Sequence, residues 1–483
     1  MRSAVGGWLF WLVVALGLFD AGLPRERFLG VQQRFGAGQW PGLVDAVRAY
    51  VTNDGDVRRY YAYVQASRGR PYQSYFVRTA EDWRRAFAAA EPYRPDAWPT
   101  VTPERPLVPY RDYLIEYPPG FFAVAVPPAW LAADADGYVK WFVAMMALAL
   151  TGAFALGARA VSLARGRAGA AIGPVMGWAA LGVLLLGIVA THRYDAAVAL
   201  SLALAAWAAV AYRPVILGIA VGVAIALKLT PLMVVPLFAM LGVRERRWRD
   251  LSLSAAAAVV AIVALTRWSL ASSGGHLIDM LRYHADRPLQ IESTWGALFG
   301  LIHAVAPGVA QVEKTFGSTN VAGALGHTAS QVSTLATIAG LLAVYVVTWR
   351  RLAAPAAADR ARAVLAATVA VFAVFITCSK LSSPQYLVWI LPVGLALSLA
   401  EGDRRELASL LAVLTLAQLV YPISYARLEA LRPGACALVL ARNVTLIVWT
   451  VRLLARRPEP ARDARAAPLT AELAPAARDS TLT

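Results

Sequence analysis

The sequence has little charge and few of the residues that build soluble catalytic sites. Of its 483 residues only 16% are charged and 58% are hydrophobic, and the mean hydropathy is +0.53. A soluble domain of this length carries more charge and shorter apolar runs, so that class of protein is excluded. Two cysteines, Cys378 and Cys436, lie in apolar segments and provide no disulfide framework.

Several motifs with a known chemistry are also missing. The sequence contains no HExxH, CxxC pair, GxSxG, P-loop or GxGxxG after a strand. Their absence disfavours zinc hydrolase, serine hydrolase, nucleotide triphosphatase and dinucleotide chemistry, and we expect neither a metal nor a cofactor. The net charge of +16 would suit nucleic acid, but the arginines fall in short loops between apolar runs. There they set topology and contact lipid headgroups, so no nucleic-acid partner is expected.

Long apolar runs predict an all-α polytopic membrane protein, because several approach the ~20 residues that cross a bilayer. The Arg-rich loops belong on the cytoplasmic side by the positive-inside rule. This placement predicts a bundle of about twelve transmembrane helices with both termini cytoplasmic. The helices are expected near residues 7–23, 138–159, 171–190, 196–212, 214–228, 229–243, 251–271, 331–349, 361–378, 384–400, 406–422 and 434–454.

The remaining segments follow from this topology. Residues 119–132 are short and broken by Pro127-Pro128, which favours an interfacial or re-entrant segment. The first external loop, 24–118, contains short amphipathic patterns such as DVRRYYAYVQASRG that predict interfacial helices. Residues 1–455 are therefore predicted to form one membrane-embedded domain. The Ala/Pro/Arg-rich tail, 456–483, is predicted to be a disordered cytoplasmic segment.

Two external motifs contain carboxylates. Asp56 opens the helical pattern in NDGDVRRYYAY, where it either caps the helix or accepts a proton from an attacking hydroxyl. The THRYD turn joins two apolar helices and contains His192, Arg193 and Asp195. An ordinary solvated turn would pair Arg193 with Asp195. The alternative is that the turn belongs to a functional site.

Lys228 stands inside the apolar run AIALKLTPLMVVP, next to a predicted helix break at Thr230-Pro231. A cation within an apolar segment costs about 2.5–3.5 kcal/mol on insertion scales unless it is paired or reaches the interface. Snorkelling to the interface is one interpretation. Binding of a lipid phosphate or pyrophosphate is the other.

The segment 276–300 combines phosphate-binding and sugar-binding residue types. It contains His284, Arg287, Gln290, Glu292, Ser293 and Trp295. Arginine and histidine can hold a phosphate, whereas glutamate, glutamine and tryptophan can hydrogen-bond and stack on a sugar. A solvated loop anchored at the interface by tryptophan is the alternative.

The segment 379–392, SKLSSPQYLVWILP, repeats this combination at the start of a predicted helix. Lys380, Gln385 and Tyr386 lie at the helix N-terminus, which attracts anions. The alternative is a simple cap formed by Ser382 and Ser383 ahead of Pro384. Together, the external motifs indicate a membrane-embedded site for a lipid-linked anionic substrate. A transporter or flippase for such a substrate is the rival class, but it predicts inverted repeats and polar residues on both faces.

The ordered motifs resemble the GT-C superfamily of membrane glycosyltransferases. They are GDVRRYYAY, RGRPY, YRDYLIEYPPG, THRYD, KLTP, RPLQIESTWGAL and SSPQYLVWILP. Across residues 1–455 the chain is similar to the polyprenyl-phosphate-mannose-dependent α-mannosyltransferases of glycosyltransferase family 87. The resemblance implies an inverting glycosyltransferase in the bacterial cytoplasmic membrane with an extracytoplasmic active site. We separately expect the protein to work as a monomer. It implies a polyprenyl-phosphate sugar donor, a glycolipid or glycan acceptor and contact with membrane lipids.

The same resemblance implies roles for individual residues. Asp56 takes the place of the catalytic general base, with Asp54 as the fallback. The phosphate would be stabilised by Lys228, His284, Arg287 and Lys380. Gln290, Glu292 and Trp295 would orient the sugar, beside the substrate-binding positions Ser293, Gln385 and Tyr386, and THRYD would brace the loop. An insertion at 73–108 departs from the family pattern and leaves the acceptor open.

The stretch YRDYLIEYPPGFF, residues 110–122, holds two more carboxylates. We expect Asp112 and Glu116 to shape the external loop around Asp56 rather than to act as the base. Tyr117 is expected at headgroup depth or in the sugar pocket, and Pro118-Pro119 sets the angle of the next segment.

Overall fold

The computed structural model describes residues 55–73, 100–166, 172–322, 326–400 and 402–456. Within these ranges the protein is mainly α-helical, with two small antiparallel sheets. The predicted first helix near 7–23, the residue Asp54 and the tail beyond 456 lie outside the described residues.

Seven helices of the described chain are long and apolar enough to cross a membrane. By length and composition these are Ala135–Ala164, Ile172–Ala190, Trp248–Ser272, Gly326–Arg351, Ala357–Cys378, Arg404–Ile423 and Pro433–Ala455. All seven coincide with predicted helices, so the multi-pass membrane architecture is confirmed while the count of twelve stays a prediction.

Shorter apolar helices complete the bundle. They are Pro119–Leu131, Asp195–Val210, Pro214–Leu227, Thr230–Arg244, Thr294–Val305 and Pro384–Ala400. Four of them match predicted helices, whereas Thr294–Val305 was expected only as an apolar segment. Pro119–Leu131 begins at the Pro-Pro pair, where Pro119 fits the first helical position because its missing N–H needs no partner there.

Seven α-helices and the strands are needed to describe the site. We name the helices α1 (Gly55–Ser67), α2 (Phe122–Leu131), α3 (Ala135–Ala164), α4 (Asp195–Val210), α5 (Pro214–Leu227), α6 (Leu277–Asp286) and α7 (Pro433–Ala455). The strands are β1 (Tyr72–Gln73), β2 (Thr100–Val101), β3 (Leu289–Gln290), β4 (Gln311–Thr315) and β5 (Ser318–Ala322). The remaining short helix is Tyr425–Glu429.

Helix α1 confirms the helical prediction for DVRRYYAYVQASRG, but it packs inside the protein against α2 and α3. Tyr60 and Tyr63 on this helix are almost fully buried. The Tyr60 ring contacts Tyr117, Phe121 and Tyr194 at centroid distances of 5.0–6.0 Å. This aromatic packing brings the first external loop and the THRYD turn together.

The sheets were not predicted from the sequence. Strand β5 lies between β3 and β4 in antiparallel pairing, with Leu289 opposite Val321 and Gln290 opposite Asn320. The β4–β5 hairpin thereby holds the strand that leads into Glu292. Two-residue strands such as β3 leave no alternating pattern in a sequence, because alternation needs about four residues to be recognised.

The Arg-rich loops meet at one end of the bundle. Glu245 and Arg360 form an ion pair with a 3.0 Å Nε–Oε1 separation, and Arg456 pairs with Asp403. The helix Ala357–Cys378 runs about 33 Å from this end to the start of the 379–386 segment, at 1.5 Å per residue. The predicted external motifs therefore collect at the opposite end.

Candidate active site

Asp56 lies in the first turn of α1, where its carboxylate forms ion pairs with Arg59 and Arg193. Burial alone would raise the pKa of Asp56, but the charges of Arg193 and Arg59 outweigh this effect and hold the pKa below its ordinary value. The carboxylate is therefore ionised at neutral pH. An ion pair across two distant segments also shows that Asp56 does more than cap its helix.

Glu116 is buried beside the ion pair of Asp56 and Arg59. Its carboxylate accepts a hydrogen bond from the Tyr63 hydroxyl at 2.8 Å and lies 3.4 Å from Arg59. Its backbone oxygen accepts a 2.7 Å hydrogen bond from His284 Nε2. Asp112, by contrast, binds Arg105 and the Val108 N–H within its own loop. Glu116 thus belongs to the polar cluster, whereas Asp112 holds the loop.

The THRYD turn does not pair with itself. Arg193 reaches Asp56, and Asp195 Oδ1 accepts hydrogen bonds of 2.7 Å from both Lys228 Nζ and Trp389 Nε1. The interpretation of an ordinary turn with Arg193 paired to Asp195 is therefore wrong. His192 is buried at the same turn, and its Nδ1 lies 3.2 Å from the Thr191 hydroxyl.

Lys228 caps the C-terminus of α5 with extended backbone geometry. Its ammonium group lies over the rings of Tyr194, Tyr386 and Trp389 at 4.7–5.2 Å from their centroids. Only 17% of its side chain is exposed, so snorkelling to the interface is the wrong interpretation. The aromatic rings and Asp195 together stabilise a cation that is nearly buried.

Three further side chains border this cluster: His284, Arg287 and Lys380. The charge of Arg287 acts on the Tyr386 hydroxyl, and no carboxylate of the described residues lies within 4.0 Å of the Arg287 guanidinium. Lys380 Nζ donates to the Ala285 carbonyl at 2.7 Å. Burial, with the charge of Arg287, lowers the pKa of His284 to about 4. His284 is therefore neutral at pH 7, and the positive charge on this side of the cluster comes from Arg287 and Lys380.

The QIES segment, residues 290–293, begins at the last residue of β3. Ser293 is the N-cap of the helix Thr294–Val305, accepting from Gly296 N at 2.9 Å. The Trp295 indole donates to the Cys378 carbonyl at 2.7 Å. Gln290 Nε2 donates to Glu292 Oε2 at 3.1 Å. Ser293 and Trp295 thus make structural contacts, while Gln290 and Glu292 hold each other.

The side chains of the segment 379–386 do not form the simple helix cap that was the alternative interpretation. The Ser383 hydroxyl donates to Gln385 Oε1, and no side-chain cap bond forms at the helix start. Tyr386 stacks on Trp389 with centroids 4.5 Å apart. The described residues contain no group of three His, Cys, Asp or Glu side chains that could hold a metal ion.

Three residues of the cluster were missed by sequence reasoning. Arg59 and Trp389 gave no signal, because their roles depend on contacts with segments far away in the chain. Arg442 stands inside the apolar run ALVLARNVTLIVW, the same kind of signal that identified Lys228. It is 1% exposed and donates to Glu292 O at 2.9 Å and to Ser382 Oγ at 3.1 Å.

Comparison with known families agrees with this geometry. The family model described as glycosyltransferase family 87 matches residues 115–384, which is more than half of the chain. The match contains Glu116, the THRYD turn, Lys228 and the QIES segment, and it excludes Asp56 and Arg442. No curated protein matches the chain. The chain, a multi-pass membrane protein with its polar cluster at one end, belongs to glycosyltransferase family 87.

Proposed function

We propose that this membrane glycosyltransferase transfers a hexose or pentose, with mannose the favoured sugar, from a polyprenyl-phosphate donor to a lipid or glycan acceptor. The reaction is proposed to invert the anomeric centre and to take place at the extracytoplasmic face of the bacterial cytoplasmic membrane. Both termini would then be cytoplasmic, and the protein would work as a monomer. The observation that supports this most is the convergence of Asp56, Arg193, Lys228 and Arg287 at one end of the bundle.

Asp56 is the proposed general base. It is ionised, it belongs to the external loop, and its second partner Arg193 comes from the THRYD turn rather than from its own helix. The acceptor hydroxyl would hydrogen-bond the carboxylate and displace one of the two arginine contacts. The displaced arginine is then free to bind the incoming substrate, so the charge of the site stays balanced.

The phosphate of the donor fits the other side of the cluster. Arg287 and Lys380 supply positive charge and have no carboxylate of the described residues within 4.0 Å, and Lys228 lies beside them in its aromatic cage. As the bond to the sugar breaks, charge grows on the leaving phosphate. Fixed cations in a site with little water stabilise this charge strongly, by about 2.7–4 kcal/mol for one well-placed group.

The displacement balances as a single step. A bond forms between the acceptor oxygen and the anomeric carbon, and the bond from that carbon to the phosphate oxygen breaks. The acceptor proton passes to Asp56, and polyprenyl phosphate leaves with the electron pair. A double displacement would need a nucleophilic carboxylate about 5–5.5 Å from the acid/base, by analogy with retaining glycosidases. Direct displacement needs one carboxylate, the general base, and this role is assigned to Asp56.

The test uses purified protein in liposomes with radiolabelled polyprenyl-phosphate sugars and membrane-extracted acceptor lipids. We expect label to move to an acceptor, with release of polyprenyl phosphate and no inhibition by chelators. Nucleotide sugars should give no transfer, and mannose should be preferred among the lipid-linked sugars. Movement of the labelled donor across the bilayer without a labelled product would instead support a flippase. Transfer from a nucleotide sugar would contradict the proposed donor.

A further inference from the structure

Glu292 combines deep burial with a missing hydrogen-bond partner. The residue is 2% exposed, and its carboxyl oxygen Oε1 has no hydrogen-bond partner among the described residues. No lysine, arginine or histidine of the described chain lies within 4.0 Å of the carboxyl group. A buried carboxylate with neither a cation nor a full set of hydrogen bonds is strongly disfavoured, because burial removes its hydration. A protonated carboxyl group avoids most of this penalty.

The surrounding hydrogen bonds show which oxygen would hold the proton. The Ser382 backbone N–H can only donate, and it points to Gln290 Oε1 at 3.1 Å. The amide oxygen of Gln290 is thereby fixed, so its NH₂ group is the donor to Glu292 Oε2. Oε2 is therefore an acceptor. A proton on Glu292 resides on Oε1, the atom whose hydrogen bond is still unmade.

Arg442 holds the main chain at this position. It lies on α7, is almost fully buried, and donates to the Glu292 carbonyl and the Ser382 hydroxyl. Its Nε donates to Asn443 Oδ1 at 3.0 Å, and no carboxylate of the described residues lies within 4.0 Å. A charged side chain in an apolar helix is costly and marks a functional position. Here it holds the Glu292 carbonyl and the Ser382 hydroxyl and forms no ion pair with the Glu292 carboxyl group.

The charges around Glu292 agree with a neutral carboxyl group. Burial raises its pKa to about 7. Arg442 on α7 and Arg193 in the THRYD turn oppose this rise, and Glu429 on the helix Tyr425–Glu429 adds to it. Tyr386 and Tyr425 are the titratable hydroxyls that interact with it. An anionic donor bound nearby would favour the protonated form further, because like charges repel.

We propose that Glu292 works as a neutral carboxylic acid, whose Oε1 hydroxyl donates a hydrogen bond to an oxygen of the transferred sugar, with Arg442 as its positioning residue. The charge of Arg193, one of the two ion-pair partners of Asp56, acts on Glu292, and we therefore assign Glu292 to the side of the cluster where the base acts. The sugar is therefore the part of the donor within reach of Glu292, while the phosphate lies at Arg287 and Lys380. This inference rests on the proposed function for the identity of the substrate.

The proposal fixes the direction of a pH effect. Only the protonated form donates the hydrogen bond, so kcat/KM should fall as the pH rises through about 7. Asp56 gives no fall in this range, because its lowered pKa keeps it ionised. The fall around pH 7 is thus assigned to Glu292 rather than to Asp56.

The first experiment compares Glu292→Gln with Glu292→Ala in the transfer assay between pH 5.5 and pH 8.5. Glutamine keeps a neutral donor of the same shape. We expect Glu292→Gln to keep at least about a tenth of the wild-type rate at pH 6 and to lose the alkaline fall. Alanine removes the donor, so the rate should fall about 100-fold at every pH. A Gln variant that is as inactive as the Ala variant, or that keeps the alkaline fall, overturns the proposal.

The second experiment needs no substrate and no active enzyme. Infrared difference spectroscopy of the full chain in lipid detects the carbonyl stretch of a protonated carboxyl group. We expect such a band at pH 6 in the wild-type protein, its loss on titration through pH 7, and its absence in Glu292→Gln. If the wild type has no such band, Glu292 is ionised and the proposal is wrong even if transfer is observed. A band without any transfer leaves Glu292 neutral and contradicts the proposed function instead.

Two variants of neighbouring residues separate positioning from folding. Glu429→Gln removes a negative charge outside the site, so the alkaline fall should move to lower pH while the rate at pH 5.5 stays near that of the wild type. Arg442→Lys should keep part of the kcat that Arg442→Gln loses, with little change in KM for the donor. If the alkaline fall of kcat/KM does not move in Glu429→Gln, the assignment of this fall to Glu292 is contradicted. This test does not depend on the folding of Glu292→Gln.

Discussion

Replacement of Lys228 by methionine and of Asp195 by asparagine, singly and together, separates the structural role of this ion pair from its role in transfer. Asp195 is 1% exposed and receives 2.7 Å hydrogen bonds from Lys228 and Trp389. Lys228→Met leaves the Asp195 carboxylate with the indole as its only partner in the described chain. Breaking a buried pair by removing one partner destabilises a protein by about 3–5 kcal/mol.

The second single variant should be milder. Asp195→Asn leaves the Lys228 ammonium over three aromatic rings, each of which contributes about 0.5–2 kcal/mol to a desolvated cation. We expect a loss of about 2–3 kcal/mol for this variant. The double variant removes both charges and leaves methionine among aromatic rings, so its loss should be about 0–2 kcal/mol. The interaction energy in this cycle is then at least about 3 kcal/mol.

The free energies of unfolding can be measured by reversible denaturation in mixed micelles, with transfer rates measured on the same proteins. The double variant should fold well and still transfer sugar about 100-fold more slowly, because the cation near the leaving phosphate is gone. Additive losses of stability would show that the two residues are not coupled. A double variant with the wild-type rate would show that Lys228 has no part in transfer.

Three further predictions concern separate parts of the molecule. Gly120→Val should destabilise the fold by about 1–3 kcal/mol in a thermal unfolding assay, because a Cβ there would lie 2.5 Å from the Ala226 carbonyl oxygen. Gly434→Ala is the control and should be neutral in the same assay, because a Cβ at that position meets nothing within 4 Å. Arg193→Gln removes a charge that lowers the pKa of Asp56, so the acid limb of the kcat/KM profile should move to higher pH. If the acid limb does not move, Asp56 is not the general base. Arg287→Gln should lower kcat/KM for the lipid-linked donor about 100-fold, and an unchanged value would remove Arg287 from the phosphate site.

Much of the helical architecture was predictable, because each spanning helix is a local run of apolar residues. The runs around 251–271 and 361–378 needed no tertiary information, and the Arg-rich loops marked one end of the bundle. The strand β3 and the helix Thr294–Val305 were missed or left undefined. Their form depends on the hairpin β4–β5 and on packing against α7, which no local pattern records.

The candidate site was predictable as a set of polar residues but not as a set of contacts. THRYD was recognised as unusual, yet its arginine and aspartate separate to bind Asp56 and Lys228, two segments more than 30 positions away in opposite directions along the chain. His284 was expected to help hold the phosphate, and its charge state was not predicted; burial and Arg287 make it neutral. Charge states of buried groups depend on three-dimensional neighbours, so the sequence alone could not assign them.

Asp56 is proposed as the general base of an inverting transfer from polyprenyl phosphate. The most direct measurement compares wild-type protein, Asp56→Asn and Glu116→Gln in liposomes for two quantities: binding of the lipid-linked donor and the rate of sugar transfer. We expect Asp56→Asn still to bind the donor and to lose transfer by at least about 100-fold, while Glu116→Gln retains measurable transfer. Full activity in Asp56→Asn, or equal inactivity of Glu116→Gln, would contradict it.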